Sequence, residues 1–490
     1  MSLASKTALT ALGVVALGVG VVAVRTATYK PPAQVDFSQV KLASAPAIDQ
    51  AKAAQHLAEA VRIQTISHQL VTDNDYSQWD RLHAWLQATY PAAHTAMARE
   101  ILPNKALIYT WQGSDASLAP IILMAHQDVV PVTPGTEKDW KHAPFSGDIA
   151  DGAVWGRGSV DDKGSLVTMF EALDALAASG FKPRRTVIIV SGQDEEAGGT
   201  GAAAAAALLK ARGVKAAWAL DEGQATVKDY PLTGKPVALI GIAEKGYATL
   251  VVTAPAKGGH SSAPPKVTGV TTLAQAVLKI AGNPFPLKFK GPGADSIRAL
   301  APQASLMTRI VVANTWLFGG ALKAQIAQSP AGASSLHTTI APTMLKGSPK
   351  ENVLPQDASA WINYRIAPGD SSADIMARAR GATKGLNVTF RWDKPPREPS
   401  PVSSTSSDGW KIIAALASDG GTTPVAPGLV TAGTDSRSMS IVTPDVYRYQ
   451  PLLASLTDFE MIHGTNEKMT LENLGRMTKF YAVLIATSAG

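Results

Sequence analysis

Three apolar runs in this 490-residue chain each end in acid or imidazole, and that pattern constrains the fold most. Pro120 to Ala125 leads into His126 and Asp128, Thr186 to Ser191 into Glu195 and Glu196, and Ala216 to Leu220 into Asp221 and Glu222. Uninterrupted runs of this kind read as strands buried on both faces, as in a parallel sheet covered by helices. The segments between them have helical character: Ser165 to about Ala178, and the alanine-rich Thr200 to Arg212. Strand, helix, strand, helix, strand predicts an α/β fold with a mainly parallel sheet, whose ligands lie outside the strands' carboxyl ends. Adjacent carboxylates at such an edge resist joint ionisation unless a cation is present. The pattern therefore predicts a metal-dependent enzyme.

Composition narrows the chemistry. A net charge of +6 with no dense basic block gives no footprint for nucleic acid. The chain has no cysteine, so thiolate ligands and disulfides are excluded, and any metal must take nitrogen and oxygen donors. Its length exceeds one ordinary core and predicts more than one domain. Between Lys6 and Arg25 lie 18 uncharged residues, the lower limit for a spanning helix. Residues 1–30 are thus expected to be a membrane anchor or a signal segment, followed by a linker over 31–47. Either form sends the catalytic part across a membrane, to a periplasmic, extracellular or vacuolar-type lumenal space.

After about Glu244 the texture changes. Ala248 to Ala254 and Trp361 to Ile366 alternate, as strands with one exposed face do. The expected layout is a catalytic domain over 48–243 and 369–490, with a smaller α+β lid domain inserted at 244–368. Within the lid, Trp316 to Leu322 is apolar and reads first as an ordinary core helix, with an acyl channel or a membrane contact as alternatives.

In order and spacing, His126-Gln-Asp128, Gly156 to Gly164 (containing Asp161), Asp194-Glu195-Glu196, Leu220 to Gly223 and His463-Gly-Thr-Asn-Glu467 resemble the co-catalytic zinc peptidases of the aminoacylase, carboxypeptidase S and glutamate carboxypeptidase family. The likeness runs from about residue 50 to 490. It is nearest to the carboxypeptidase S branch, which includes secreted enzymes that join or split fatty acids and amino acids.

The resemblance implies two zinc ions, with cobalt or manganese as possible substitutes. Asp161 would bridge the ions, and His126, Glu196, His463 and one of Asp221 and Glu222 would complete the set, the choice between those two staying open. It makes Asp128 the group that orients His126, and Glu195 the acid that takes a proton from water and passes it to the leaving amine. On the lid it implies a carbonyl-polarising His260, and substrate contacts by Asn352 and Arg365, with Asp435 and Arg437 on a further substrate-side loop. The implied substrate is an N-acyl amino acid or small peptide with a free carboxylate. A homodimer through the lid domain is also implied. A non-catalytic relative that only binds such conjugates is the alternative.

Overall fold

The computed structural model describes the backbone of residues 3–490, and their side chains except at positions 3–6, 8, 9, 11 and 38. The chain divides into two compact units: residues 32–242, 402–430 and 434–490 in the larger, and 1–31, 243–401 and 431–433 in the smaller.

The larger unit is built on a mixed sheet. Its centre is four parallel strands in the order Val187–Ser191, Ile121–Met124, Trp218–Asp221, Val446–Arg448. Leu107–Trp111 and then Ala98–Ile101 extend one side antiparallel. The first three central strands are wholly buried, and alternate residues serve opposite faces. Ile189, Leu123 and Leu220 pack with Leu166, Phe170 and Leu173 of helix Lys163–Ala178 and with Leu484 of helix Leu471–Ala489. Ile188, Ile122 and Ala219 face Ala202, Ala205, Ala206 and Leu209 of helix Thr200–Ala211. Those four positions recur at the helical period, so a helix nearly all alanine still presents one core-facing stripe. With both faces covered, the polar residues following each strand emerge at one edge. The antiparallel flanks and the fourth parallel strand, drawn from the chain's last fifty residues, are additions to the expected series.

The smaller unit is a four-stranded antiparallel sheet in the order Thr339–Lys346, Asp357–Ile366, Gly246–Pro255, Thr389–Trp392. Strand Asp357–Ile366 alternates strictly: Ala358, Ala360, Ile362, Tyr364 and Ile366 are buried, and the residues between are not. The buried face packs on helices Gly269–Ala281 and Ser372–Ala382 through Leu273, Ala276, Ile280, Ile375 and Ala379. This unit runs to residue 401, whereas the sequence placed its end at 368. The physical reason is that helix Ser372–Ala382 and strand Thr389–Trp392 complete its core and its sheet, Trp392 pairing with Leu250.

Two further expectations are corrected here. Residues 315–326 form a helix, but only Leu322 of it is buried, and Trp316 is 60% exposed, so it is not a core helix. It packs instead at the rim of a small cluster with Ala301 and Val312. The amino-terminal run does form a helix, Leu3–Ala27, tied to this insertion where Asn314 Nδ2 donates to Thr26 Oγ1 at 3.1 Å. Among the described residues no helix is long and apolar enough to cross a membrane, so the expected membrane anchor is not supported.

Two glycines test the packing. A Cβ at Gly409 would lie 2.5 Å from the Trp218 ring, which is itself buried and cannot yield. Gly409→Ala is therefore expected to cost about 1–3 kcal/mol. A Cβ at Gly381, in helix Ser372–Ala382, meets nothing within 4 Å, and Gly381→Ala should stabilise by about 0.5 kcal/mol. Urea midpoints of the two variants, moving in opposite directions, check both.

Candidate metal centre

The site grows out of the strand ends. His126 and Asp128 follow strand Ile121–Met124, and Glu195 and Glu196 occupy a short turn after Val187–Ser191. Asp221 ends strand Trp218–Asp221, and Glu222 follows it. Asp161 lies just before helix Lys163–Ala178. His463 comes from far along the chain, in a loop before the strand Lys468–Thr470, with a left-handed backbone at φ 60°.

Asp161 sits between the two imidazoles. Its Oδ1 is 2.9 Å from His126 Nε2 and its Oδ2 is 3.1 Å from His463 Nε2. Glu196 Oε1 lies 3.0 Å from His463 Nε2, and Glu222 Oε1 lies 3.7 Å from His126 Nε2. Two sets have ligand atoms within 4.8 Å of one another: His126 with Asp161 and Glu196, and His126 with Asp162 and Glu222. One carboxylate facing two imidazoles, each with a further acid, is an arrangement that fits a pair of divalent cations. The donors are all nitrogen and oxygen.

The structure separates Asp221 from Glu222. Asp221 turns into the protein, where its Oδ2 accepts from the Ser436 N–H at 2.8 Å and its Oδ1 from the Glu222 N–H at 3.0 Å. Glu222 is the one that faces His126. Asp128 has two tasks. Its carbonyl is 3.0 Å from His126 Nδ1, which leaves Nε2 for the cluster, and its carboxylate accepts the N–H groups of Glu195 and Glu196 at 3.1 Å each. One buried residue thus fixes a ring through its backbone and a turn through its side chain.

The electrostatics show what the cluster needs. Burial pushes the carboxyls of Glu195, Glu222 and Glu196 above the ordinary range, and neighbouring acids push the same way. His463 rises to about 10, mainly through its hydrogen bonds to Asp161 and Glu196. Burial would lower His126, but Asp128 and Asp161 outweigh it and hold the ring's proton. Protons occupy the places where positive charge is wanted.

The lid residues lie in the smaller unit. His260 is exposed on the two-stranded ribbon Gly259–His260 with Val353–Leu354, its Nδ1 accepting from the Ser262 N–H. Asn352 adjoins it, with its carbonyl accepting the Ser261 N–H at 3.2 Å. Arg365 is on the sheet face away from the helices, with its guanidinium 4.8 Å from the Tyr247 ring centroid.

Asp435 is buried in the larger unit rather than displayed at a surface. A Cβ at Gly192 or Gly199 would fall 1.9 Å or 2.6 Å from its carboxylate oxygens, so it backs the segment that carries Glu195. Arg437 is half-buried on the turn that follows. Three residues near the candidate metal ligands carry no expectation from the sequence. Asp162 accepts the His126 N–H at 3.2 Å, and Arg157 pairs with Glu467 at 2.7 Å in complete burial. The only sequence signal for them was membership of the same motifs, because partners 310 residues apart leave no local pattern.

Residues 122–487 match the description "Peptidase family M20/M25/M40". The chain is 33% identical over 471 residues to "Probable carboxypeptidase S-like 2" of Dictyostelium discoideum, covering 94% of this chain and 89% of that protein. It is 35% identical over 392 residues to the human "N-fatty-acyl-amino acid synthase/hydrolase PM20D1", covering 79% and 77%. Among solved structures, the M20 family metallo-carboxypeptidase Sso-CP2 of Sulfolobus solfataricus shares the fold, with a TM-score of 0.66 at 15% identity over 89% of this chain and 99% of that one. The motif resemblance, the α/β architecture and these matches agree. The chain is a hydrolase of amide or peptide bonds, and it belongs to peptidase family M20/M25/M40.

Proposed function

We propose that the chain is a two-zinc amidohydrolase that releases the carboxyl-terminal amino acid from an N-acyl amino acid or a small peptide. The observation that carries this reading is Asp161, whose two carboxylate oxygens each face a different imidazole, with Glu195 left over beside them. Bound divalent cations would polarise the scissile carbonyl and make water acidic enough to be a nucleophile near neutral pH. His126, Asp161, Glu196, Glu222 and His463 would hold them.

Glu195 handles the protons. Its adjacency to Glu196 divides the labour, since Glu196 meets His463 while Glu195 accepts no hydrogen bond from either imidazole among those observed. A carboxyl raised by burial is matched to taking a proton from the attacking water and giving it to the departing amine. His260 and Asn352, side by side on their ribbon, are assigned to the carbonyl oxygen, from the same chain or from a second copy. Arg365 is assigned to the substrate carboxylate, which a guanidinium can grip with two hydrogen bonds.

An N-acyl amino acid is favoured over a dipeptide because the smaller unit exposes Leu306, Met307, Trp316 and Leu317 on neighbouring helices, apolar surface suited to an acyl chain. Condensation of an acid and an amino acid by the same residues is the reverse of this reaction. The reading includes export from the cytosol, on the strength of the apolar amino-terminal run.

Three outcomes test the reading. Glu195→Gln should lower kcat by about 10²–10⁴-fold while the zinc content of the protein stays unchanged, measured by steady-state kinetics and elemental analysis. On a panel of N-acyl amino acids and dipeptides, acyl conjugates should be hydrolysed with the higher kcat/KM, and Arg365→Ala should raise KM for both classes. Metal binding should be coupled to protons with a definite sign. In the metal-free protein His463 keeps its proton up to about pH 10, so zinc must displace it, and apparent zinc affinity should rise about tenfold per pH unit for each proton displaced. The same raised value stabilises the metal-free fold below the unfolded pKa near 6.5, and that contribution disappears as pH climbs through about 10. Zinc calorimetry in buffers of different ionisation enthalpy counts the released protons.

A further inference from the structure

Asp161 and His463 must hold one separation if they are to share an ion, yet neither is well placed to hold it alone. Asp161 precedes its helix, and His463 stands in a loop with its side chain 53% exposed. Their backbones are joined by a closed set of buried bonds. Glu467 Oε1 accepts the N–H groups of Val160 and Asp161 at 2.9 and 3.1 Å. Its Oε2 accepts from Arg157 Nη1 at 2.7 Å, and Arg157 Nη2 donates to the carbonyl of Gly464, the residue after His463, at 2.7 Å. The Gly156 N–H donates to the Glu467 carbonyl at 2.8 Å. Gln450 Nε2 secures the other side of the same peptide by donating to the Val160 carbonyl at 2.8 Å.

Glu467 is fully buried and Arg157 is 2% exposed. Such a pair is a poor way to gain stability, because desolvating both charges costs about as much as their attraction returns. What the pair does supply is position. Its contacts end on the amide of one metal-site residue and on the carbonyl beside the other, over 300 residues away.

We propose that Arg157 and Glu467 are positioning residues, a buried clamp that sets Asp161 and His463 at the spacing needed to share one metal ion. The inference rests on the metal reading above. Arg157→Lys keeps the charge but removes the fork that reaches Glu467 and Gly464 together. Glu467→Gln keeps the shape and one carbonyl acceptor but removes the charge.

The test is zinc affinity by chelator competition on folded protein, the absorption spectrum of the cobalt-substituted form, and the thermal midpoint of the metal-free form. Wild type, Arg157→Lys, Glu467→Gln and Gly409→Ala are compared, the last as a destabilised variant away from the clamp. Zinc affinity should fall about 10–100-fold in both clamp variants, with an altered cobalt spectrum, and stay at the wild-type value in Gly409→Ala. If Glu467→Gln does not fold, Arg157→Lys decides the matter alone. Unchanged affinity and spectrum in a folded clamp variant, or an equal loss in Gly409→Ala, would overturn the clamp while leaving the metal reading intact. A wild type that binds no zinc would overturn the metal reading itself.

Discussion

The larger unit depends on a concentration of negative charge that the protein cannot hold unaided. Asp161, Glu196 and Glu222 converge on two imidazoles with Glu195 beside them, and burial raises the three glutamate carboxyls. In such a place like charges cannot all ionise unless positive charge enters. In the metal-free chain, protons on His126 and His463 meet part of that need. The arrangement therefore fits a divalent cation, the charge that the proposed hydrolysis would use.

The remaining architecture serves to bring those groups to one edge. Central strands buried on both faces hold their polar ends at fixed spacing, and the alternation of Ile188 with Ile189, or Ile122 with Leu123, gives each face its own helix layer. The smaller unit follows the other sheet rule. One face is closed by helices, and the open face bears Trp361, Asn363 and Arg365 at alternate positions. A rigid scaffold for the acids and a half-open sheet for polar contacts are two solutions to the same problem of keeping polar groups where chemistry needs them.

Much of the candidate site was legible because its signals are local. Each buried strand carries its acid or imidazole within a few residues, so His126, Glu195, Glu196 and the Asp221–Glu222 pair could be found without knowing any long-range contact. What was not legible depends on distant partners. That Glu222 rather than Asp221 faces His126 goes with the bond from the Ser436 amide to Asp221, 215 residues away. The smaller unit's end at 401 is set by pairing of Trp392 with Leu250, and periodicity says nothing of which strand a strand will join. Apolar composition also misled twice, because burial depends on what packs against a helix: Trp316 stays exposed beside a cluster too small to cover it. Arg157 and Glu467 were visible as letters in motifs, but a buried ion pair cannot be inferred from either residue alone.

The most direct test of the central claim is anomalous diffraction at the zinc edge, from crystals of the zinc-loaded protein. The account requires about two anomalous peaks on either side of the Asp161 carboxylate, roughly 3.5–4 Å apart, one beside His126 and Glu222 and the other beside His463 and Glu196. A single peak that Asp161 does not touch, or no peak at this edge of the sheet, would contradict it.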